Sequence, residues 1–260
     1  MTVSTEGTSS PTAERRAGRE LLLESVFRPL ANLFVPVLQW ARVPPPAVVL
    51  ANAAVGLVAA FALARGDLIA AAALLQLKTL LDNLDGQLAR TSGRVTLVGR
   101  YLDTLADLVV NAALFAALGY VTGQPYLAAA AFVALTIVLA VDFNVTALYR
   151  ETHEIPDPQP AATGGTAERI LGSLYAALFA PLDRAVRSFA TWRFHGHGSY
   201  DDFTVTSLAN LGLTTQLVVL GLCVVLGAPG AYLWFALACL VALVPLQLRA
   251  ERRSRTAVAS

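Results

Sequence analysis

The chain contains six apolar segments, and each is about long enough to cross the hydrocarbon core of a lipid bilayer. They cover residues 45–64, 67–90, 97–119, 125–148, 204–227 and 230–248. An α-helix needs about 20 apolar residues to cross that core, where only helices and closed barrels satisfy their backbone polar groups. The alternation of apolar and polar residues that is typical of barrel strands is missing. The segments therefore predict an all-α integral membrane protein with six transmembrane helices.

The composition agrees with a bilayer as the solvent and argues against nucleic acid as a partner. Hydrophobic residues make up 56% of the 260 residues and charged residues 14%, whereas about 25% of a typical soluble domain is charged. The formal net charge is +1, so the chain as a whole does not attract nucleic acid. Cys223 and Cys239 fall inside apolar segments and are expected to be packed thiols. His195 and His197 could bind a metal ion, but we expect them to be ordinary residues of a surface loop.

The arginines predict how the helices are oriented. The regions before, between and after the six segments, counted together with the segment ends that border them, carry 5, 1, 3, 0, 5, 0 and 4 arginines in chain order. Because basic residues accumulate on the cytoplasmic side, alternate regions are expected to be cytoplasmic. We therefore predict a protein of the cytoplasmic membrane, with both termini in the cytoplasm.

The chain outside the apolar segments divides into parts with different compositions. Residues 1–18 are small and polar and are expected to form a disordered tail. Residues 19–43 are predicted to form an amphipathic helix on the cytoplasmic surface. The six-helix membrane domain, residues 44–248, includes a long cytoplasmic connection at 149–202, which begins as a Pro/Gly-rich loop and continues as one or two surface helices. Residues 249–260 are a basic cytoplasmic tail.

Four aspartates lie at the cytoplasmic ends of the second and third segments: Asp82, Asp85, Asp103 and Asp107. Spacings of three and four residues place each pair on one helix face, and two consecutive antiparallel helices can direct both pairs into one gap. Carboxylates this close repel one another unless cations neutralise them. Two divalent cations would balance the four negative charges, and oxygen ligands favour hard cations such as Mg²⁺, Mn²⁺ or Ca²⁺.

Two other interpretations of these aspartates remain open. They could be helix-end charges that reach water and pair with Arg90, Arg94 and Arg100. They could also form the pathway of a divalent-cation transporter or channel, because acidic residues within membranes serve such pathways too. A channel needs acids near mid-membrane or in rings, whereas these lie at one edge beside Arg90, which favours an enzyme.

The spacing of these residues resembles a known signature. The stretch DNLDGQLAR, residues 82–90, is followed after eight residues by GRYLDTLAD, residues 99–107. This resembles the pattern D-x2-D-G-x2-A-R-x8-G-x3-D-x3-D of the CDP-alcohol phosphotransferase family, and all eight fixed positions match. The start of the first segment differs from many relatives, which have Pro-Asn-x-x-Thr there, because Ala47 follows Pro46 and Leu50 stands at the threonine position.

The resemblance implies a metal-dependent membrane transferase of phospholipid biosynthesis. Members of the family move a phosphatidyl-type group from a CDP-linked lipid, such as CDP-diacylglycerol, to the hydroxyl of a small polar alcohol and release CMP. Some transfer a phosphoalcohol to a lipid instead. By position, the resemblance makes Asp82, Asp85 and Asp103 metal ligands for Mg²⁺ or Mn²⁺, and Asp107 both a ligand and the general base. Four further residues belong to the nucleotide site: Gly86, Ala89, Arg90 and Gly99. The resemblance also implies a homodimer, and the motif's location implies an active site that faces the cytoplasm.

The acceptor alcohol is less constrained by the sequence. Five residues are candidates for binding it: Lys78, Asp142, Arg150, Arg184 and Arg187. Lys78 either contacts a substrate phosphate or pairs with Asp82 or Asp142, and the arginines either bind a phosphorylated acceptor or contact lipid headgroups. We expect glycerol 3-phosphate because it is a common bacterial acceptor, then inositol phosphate, then serine or another amino alcohol.

Overall fold

The structure is a computed structural model that describes residues 18–155, 159–194 and 200–259. In this part of the chain, helices account for nearly all regular structure and no β-strand occurs. The predicted tail, apart from its last residue, and the loop with His195 and His197 lie outside the described residues. The all-helical fold class is confirmed for the part described.

Within the described ranges, nine α-helices follow a short π-helical segment, Leu23–Phe27. They are α1 (Arg28–Trp40), α2 (Pro45–Ala64), α3 (Leu68–Thr91), α4 (Leu97–Thr122), α5 (Pro125–Thr152), α6 (Thr166–Phe194), α7 (Asp202–Ala209), α8 (Leu213–Val225) and α9 (Pro229–Ala259). Proline occupies the first turn of α2 and α5, where its missing N–H leaves no hydrogen bond unmade. Thr96 caps α4 by accepting a hydrogen bond from the Gly99 N–H at 3.1 Å, so that the motif glycine lies in the first turn.

Four of the described helices, α2, α4, α5 and α9, are long and apolar enough to span a membrane. Helices α7 and α8 bend by 42° and together form a fifth candidate span. Helix α3 has 24 residues, but Lys78, Asp82 and Asp85 make it more polar than these helices. The structure therefore supports four or five spans by length and composition, and an integral membrane protein.

The main hydrophobic core lies between α2, α3, α4, α5, α8 and α9. Leu75, Leu118 and Tyr232 are fully buried in it. Small residues let the helices approach closely, since a Cβ at Gly56 of α2 would lie 2.4 Å from a methyl carbon of Val110 on α4. Many large apolar side chains outside this core are exposed, as expected for surfaces that face lipid.

The N-terminal helix α1 packs against α3, where Ala31 and Val35 contact Leu84. Leu30 and Leu33 on its other side are exposed. Helix α1 thus has one apolar side against the protein and a second that is free to contact lipid. Its location at the membrane interface stays a prediction.

The long connection folds back over the helices rather than extending away from them. Its second half forms one helix, α6, with Pro181 inside it, and α6 packs on α4 and α5. Ahead of α6, Ala161 donates to the Val95 carbonyl at 2.9 Å and accepts from the Leu97 N–H at 3.1 Å. These bonds hold the start of the connection against the loop between α3 and α4.

Candidate active site

Helices α3 and α4 bring their aspartates together at the ends joined by the short 92–96 loop. One carboxylate oxygen each from Asp82, Asp103 and Asp107 lies within 4.8 Å of the others. Asp85, one turn further along α3, is 6% exposed, and its Oδ2 has no hydrogen-bond partner among the described residues. The structure therefore places three of the four predicted metal ligands in one cluster, with the fourth beside it.

A buried lysine and an asparagine contact two of the aspartates in this cluster. The ammonium group of Lys78, which is fully buried, lies 2.7 Å from Asp107 Oδ1 and 3.7 Å from Asp82 Oδ1. Asn52 on α2 donates a hydrogen bond to Asp82 Oδ1 at 3.0 Å. Of the alternatives for Lys78, the structure has the pairing with Asp82. It adds Asp107 as the nearer partner, and no contact between Lys78 and Asp142 is seen among the described residues.

A cavity of about 500 Å³, the first cavity, opens beside the aspartates. Asp85 and Asp103 line it, together with all four residues predicted for the nucleotide site: Gly86, Ala89, Arg90 and Gly99. A Cβ at Gly86 would crowd the Arg90 guanidinium, at 3.2 Å from its Nη1, and a Cβ at Gly99 would lie 3.2 Å from Thr96 Oγ1. The motif thus forms one continuous wall of carboxylates, small residues and a guanidinium.

The first cavity is rich in arginine beyond the motif. Arg94, Arg100 and Arg150 line it in addition to Arg90. Asp142 on α5 also lines it, and Asp142 Oδ1 is buried with no hydrogen-bond partner in the described part of the chain. Three of the five predicted acceptor-binding residues are therefore close to the motif: Lys78 contacts two of its aspartates, and Asp142 and Arg150 line the first cavity.

The other two predicted arginines lie elsewhere. Arg184 on α6 donates to the Ala180 carbonyl at 3.1 Å. Arg187 donates to Asn144 Oδ1 at 3.2 Å and pairs with Glu151 at 3.2 Å. Neither is among the residues that line the first cavity, and their predicted role in binding the acceptor stays a prediction.

A smaller cavity of about 180 Å³, the second cavity, lies between α4, α5 and α6. Asp103 lines both cavities, whereas Asp107 lines the second and is not among the residues lining the first. Tyr175 and Asp183 of α6 contribute polar groups to it. Sequence reasoning missed these two residues, because the motif carries no signal for which face of α6 packs on α4. Asn52 could be identified from the sequence, because it is a polar residue within an apolar segment.

The comparison with known families agrees with this geometry. The sequence model of the CDP-alcohol phosphatidyltransferase family matches residues 42–242. The chain belongs to this family. No curated protein and no solved structure matches the chain. Membership makes the protein a transferase that uses CDP-alcohol and alcohol substrates in a membrane, and members of the family depend on divalent cations.

The residues present fit a divalent cation of this kind. Carboxylate oxygens are the ligands that Mg²⁺ and Mn²⁺ prefer, and three of them lie within 4.8 Å of one another. The partnerless Oδ2 of Asp85 is a further buried oxygen beside the same cavity. Histidine and cysteine, which would favour zinc, are absent from this cluster of described residues.

Proposed function

We propose that the protein transfers a phosphatidyl-type group from a CDP-linked lipid, of the CDP-diacylglycerol type, to the hydroxyl of a small polar alcohol and releases CMP. The observation that carries this proposal is the convergence of the motif at one place. Its aspartates cluster beside a cavity that its small residues and Arg90 also line. A cation pathway would gain nothing from four arginines in that cavity, whereas a diphosphate would be bound by them.

The nucleotide diphosphate occupies the first cavity in this proposal. The planar guanidinium of Arg90 can bind phosphate oxygens through two hydrogen bonds. Gly86, Ala89 and Gly99 leave space for the nucleotide to approach the backbone of α3 and α4. Arg94 adds positive charge at the same wall.

Asp82, Asp85, Asp103 and Asp107 would hold two divalent cations, Mg²⁺ or Mn²⁺. Cations bound there would neutralise charge on the pyrophosphate oxygens while the bond to CMP breaks. Lys78 and Asn52 keep Asp82 in place, and Lys78 keeps Asp107 in place, through the contacts described above. The ligands are therefore positioned before substrate arrives.

Asp107 acts as the general base. The acceptor oxygen attacks the phosphorus that carries the lipid, the bond between that phosphorus and the CMP oxygen breaks, and the hydroxyl proton passes to the Asp107 carboxylate. One oxygen of Asp107 accepts a hydrogen bond from Lys78, so the other oxygen is the one available to the acceptor.

The membrane arrangement follows the sequence prediction. We infer six spans, formed by α2, α3, α4, α5, the bent pair α7–α8, and α9. Helix α3 is included because it packs against both α2 and α8, and because its polar residues face the site rather than lipid. Both termini and the active site face the cytoplasm, and the protein is a homodimer.

Glycerol 3-phosphate remains the first candidate acceptor, followed by inositol phosphate and then serine or another amino alcohol. Arg100 lines the first cavity in addition to Arg90 and Arg94, and this extra cation supports an acceptor that carries a phosphate of its own. Asp142 and Arg150 line the same cavity, and their role in binding the acceptor stays a prediction.

The test is CMP release by the purified protein in liposomes that contain CDP-diacylglycerol and Mg²⁺ or Mn²⁺. Each of the three acceptor classes is added separately, and the lipid product is identified by mass spectrometry. We expect CMP release that depends on one acceptor. Absence of CMP with every acceptor, together with divalent-cation flux across the same liposomes, would support the transporter instead.

A further inference from the structure

The first and second cavities are lined by different members of the aspartate cluster. Asp85 and the nucleotide-site residues face the first cavity, whereas Asp107 faces the second. Arg100, Asp103 and Phe143 line both and form the boundary between them. A general base must lie within hydrogen-bond reach of the proton that it removes. The hydroxyl that reacts should therefore approach Asp107 through the second cavity.

The size of the second cavity limits what it can hold. Pockets for drug-sized ligands occupy about 300–1,000 Å³, and the second cavity has about 180 Å³. It suits a small molecule rather than a diacylglycerol chain. Helix α6 forms one wall of it, where Tyr175 and Phe179 stack on each other with ring centroids 5.2 Å apart.

The polar lining of the second cavity suits an alcohol with several hydroxyl groups. Thr104, Asn111 and Thr136 contribute neutral hydrogen-bonding groups. Asp183 contributes a carboxylate that Asn144 orients through a hydrogen bond at 2.8 Å, with the Tyr175 hydroxyl 3.5 Å from its second oxygen. These groups can donate to or accept from the hydroxyls of a polyol.

Arg100 is the one cation among the described residues that line the second cavity. It lies over the Phe143 ring at 5.3 Å, and no carboxylate of the described residues is within ion-pairing distance of it. At the boundary between the cavities, the Arg100 guanidinium could bind one anionic group of an acceptor. The reacting hydroxyl at the other end of the acceptor would then lie near Asp107.

Resting on the proposed function, we propose that the second cavity is the acceptor site. It takes a small polyol that carries one phosphate group, with the phosphate at Arg100 and the hydroxyls at Asp183 and Tyr175. Helix α6, from the long connection, thereby determines which alcohol reacts.

The experiment compares Tyr175→Phe and Asp183→Asn with the wild type in the CMP-release assay, with glycerol 3-phosphate and inositol phosphate as the acceptors. Loss of a hydrogen bond should raise the acceptor KM about 2- to 10-fold for Tyr175→Phe, and about 10-fold or more for Asp183→Asn. The KM for CDP-diacylglycerol should change less than about twofold, because the donor binds in the first cavity. Tyr126→Phe, at a tyrosine that is 91% exposed, is the matched control, and thermal unfolding in detergent checks that each variant is folded.

The possible outcomes separate the two proposals. A wild type that releases no CMP with any alcohol would refute the proposed function and this site with it. If the wild type is active and the variants increase only the KM for CDP-diacylglycerol, the second cavity binds the donor lipid instead of the acceptor. Unchanged KM values for both substrates, or a wild type that uses serine rather than a phosphorylated polyol, would overturn the acceptor assignment.

Discussion

Replacing Lys78 by methionine tests how the aspartate cluster is held together. The ammonium lies 2.7 Å from Asp107 and 3.7 Å from Asp82. At an effective dielectric constant of about 20, these attractions are about 6 and about 4.5 kcal/mol. Burial of the ammonium offsets several kcal/mol of this. Asp82 keeps its hydrogen bond from Asn52 in the variant, whereas Asp107 loses its charged partner.

Removal of one partner from a buried ion pair usually costs about 3–5 kcal/mol. For a chain of this length, about 1 kcal/mol corresponds to roughly 2–4 °C in Tm, so we expect Lys78→Met to lower Tm by about 10 °C. The measurement is thermal unfolding in detergent with EDTA present. With Mg²⁺ the loss should be smaller, because a cation bound at the cluster would neutralise the charge that Lys78 no longer compensates on Asp107. Leu77→Met, at the neighbouring and exposed position, is the control for the methionine itself.

A double-mutant cycle shows whether the ion pair is the cause. If Lys78 acts through Asp107, the double variant Lys78→Met/Asp107→Asn should be little less stable than Asp107→Asn alone. Fully additive losses in Tm would refute this reasoning, as would a Lys78→Met protein in EDTA that unfolds at the wild-type temperature.

Three further predictions concern the general base, the metal and the N-terminal segment. Asp107→Asn should lower kcat for CMP release about 10²- to 10⁴-fold in a protein that still elutes as a single folded species; activity above a tenth of the wild type would contradict the base assignment. Dialysis against EDTA should abolish CMP release, with recovery on addition of Mg²⁺ or Mn²⁺, and full activity without added cation would contradict the metal proposal. Burial raises the pKa of Glu20 to about 7, so its protonated form stabilises the fold at low pH and this stability is lost as pH rises through 7. Glu20→Gln should therefore raise Tm at pH 8 and change it little at pH 5, and an equal difference at both pH values would contradict this prediction.

Much of the candidate site could be predicted because its residues are close in sequence. Asp82 and Asp85 lie on one helix, Asp103 and Asp107 lie on the next, and a short loop joins the two. Helical spacing then fixes which side chains share a face. The contact between the two pairs needs only that α3 and α4 are antiparallel, which the length of the connection ensures.

Contacts between distant segments could not be predicted in this way. The sequence offered Asp82 and Asp142 as acidic partners of Lys78, whereas the packing of α4 against α3 makes Asp107 the nearest one. Similarly, Arg150 and Arg187 both looked available to an acceptor. The packing of α6 on α5 pairs Arg187 with Glu151, whereas Arg150 lines the first cavity. These contacts depend on how each helix is rotated about its axis and how it crosses its neighbours. The spacing of residues along one helix does not show which residues of another helix it will contact.

The polarity of α3 follows from the same contacts. Helix α3 is less apolar than α2, α4, α5 and α9 because of Lys78, Asp82, Asp85 and Arg90, and each of these residues lies at the candidate site. Charged groups are costly in a membrane unless partners neutralise them. When ionised, the four aspartates and Lys78 carry a net charge of −3 rather than the −4 that the aspartates alone predict. Two divalent cations would then leave the cluster at +1, and the arginines of the first cavity add to this. Under the proposed function, this positive charge would offset the negative charge of a bound diphosphate, which accounts for a lysine beside four carboxylates.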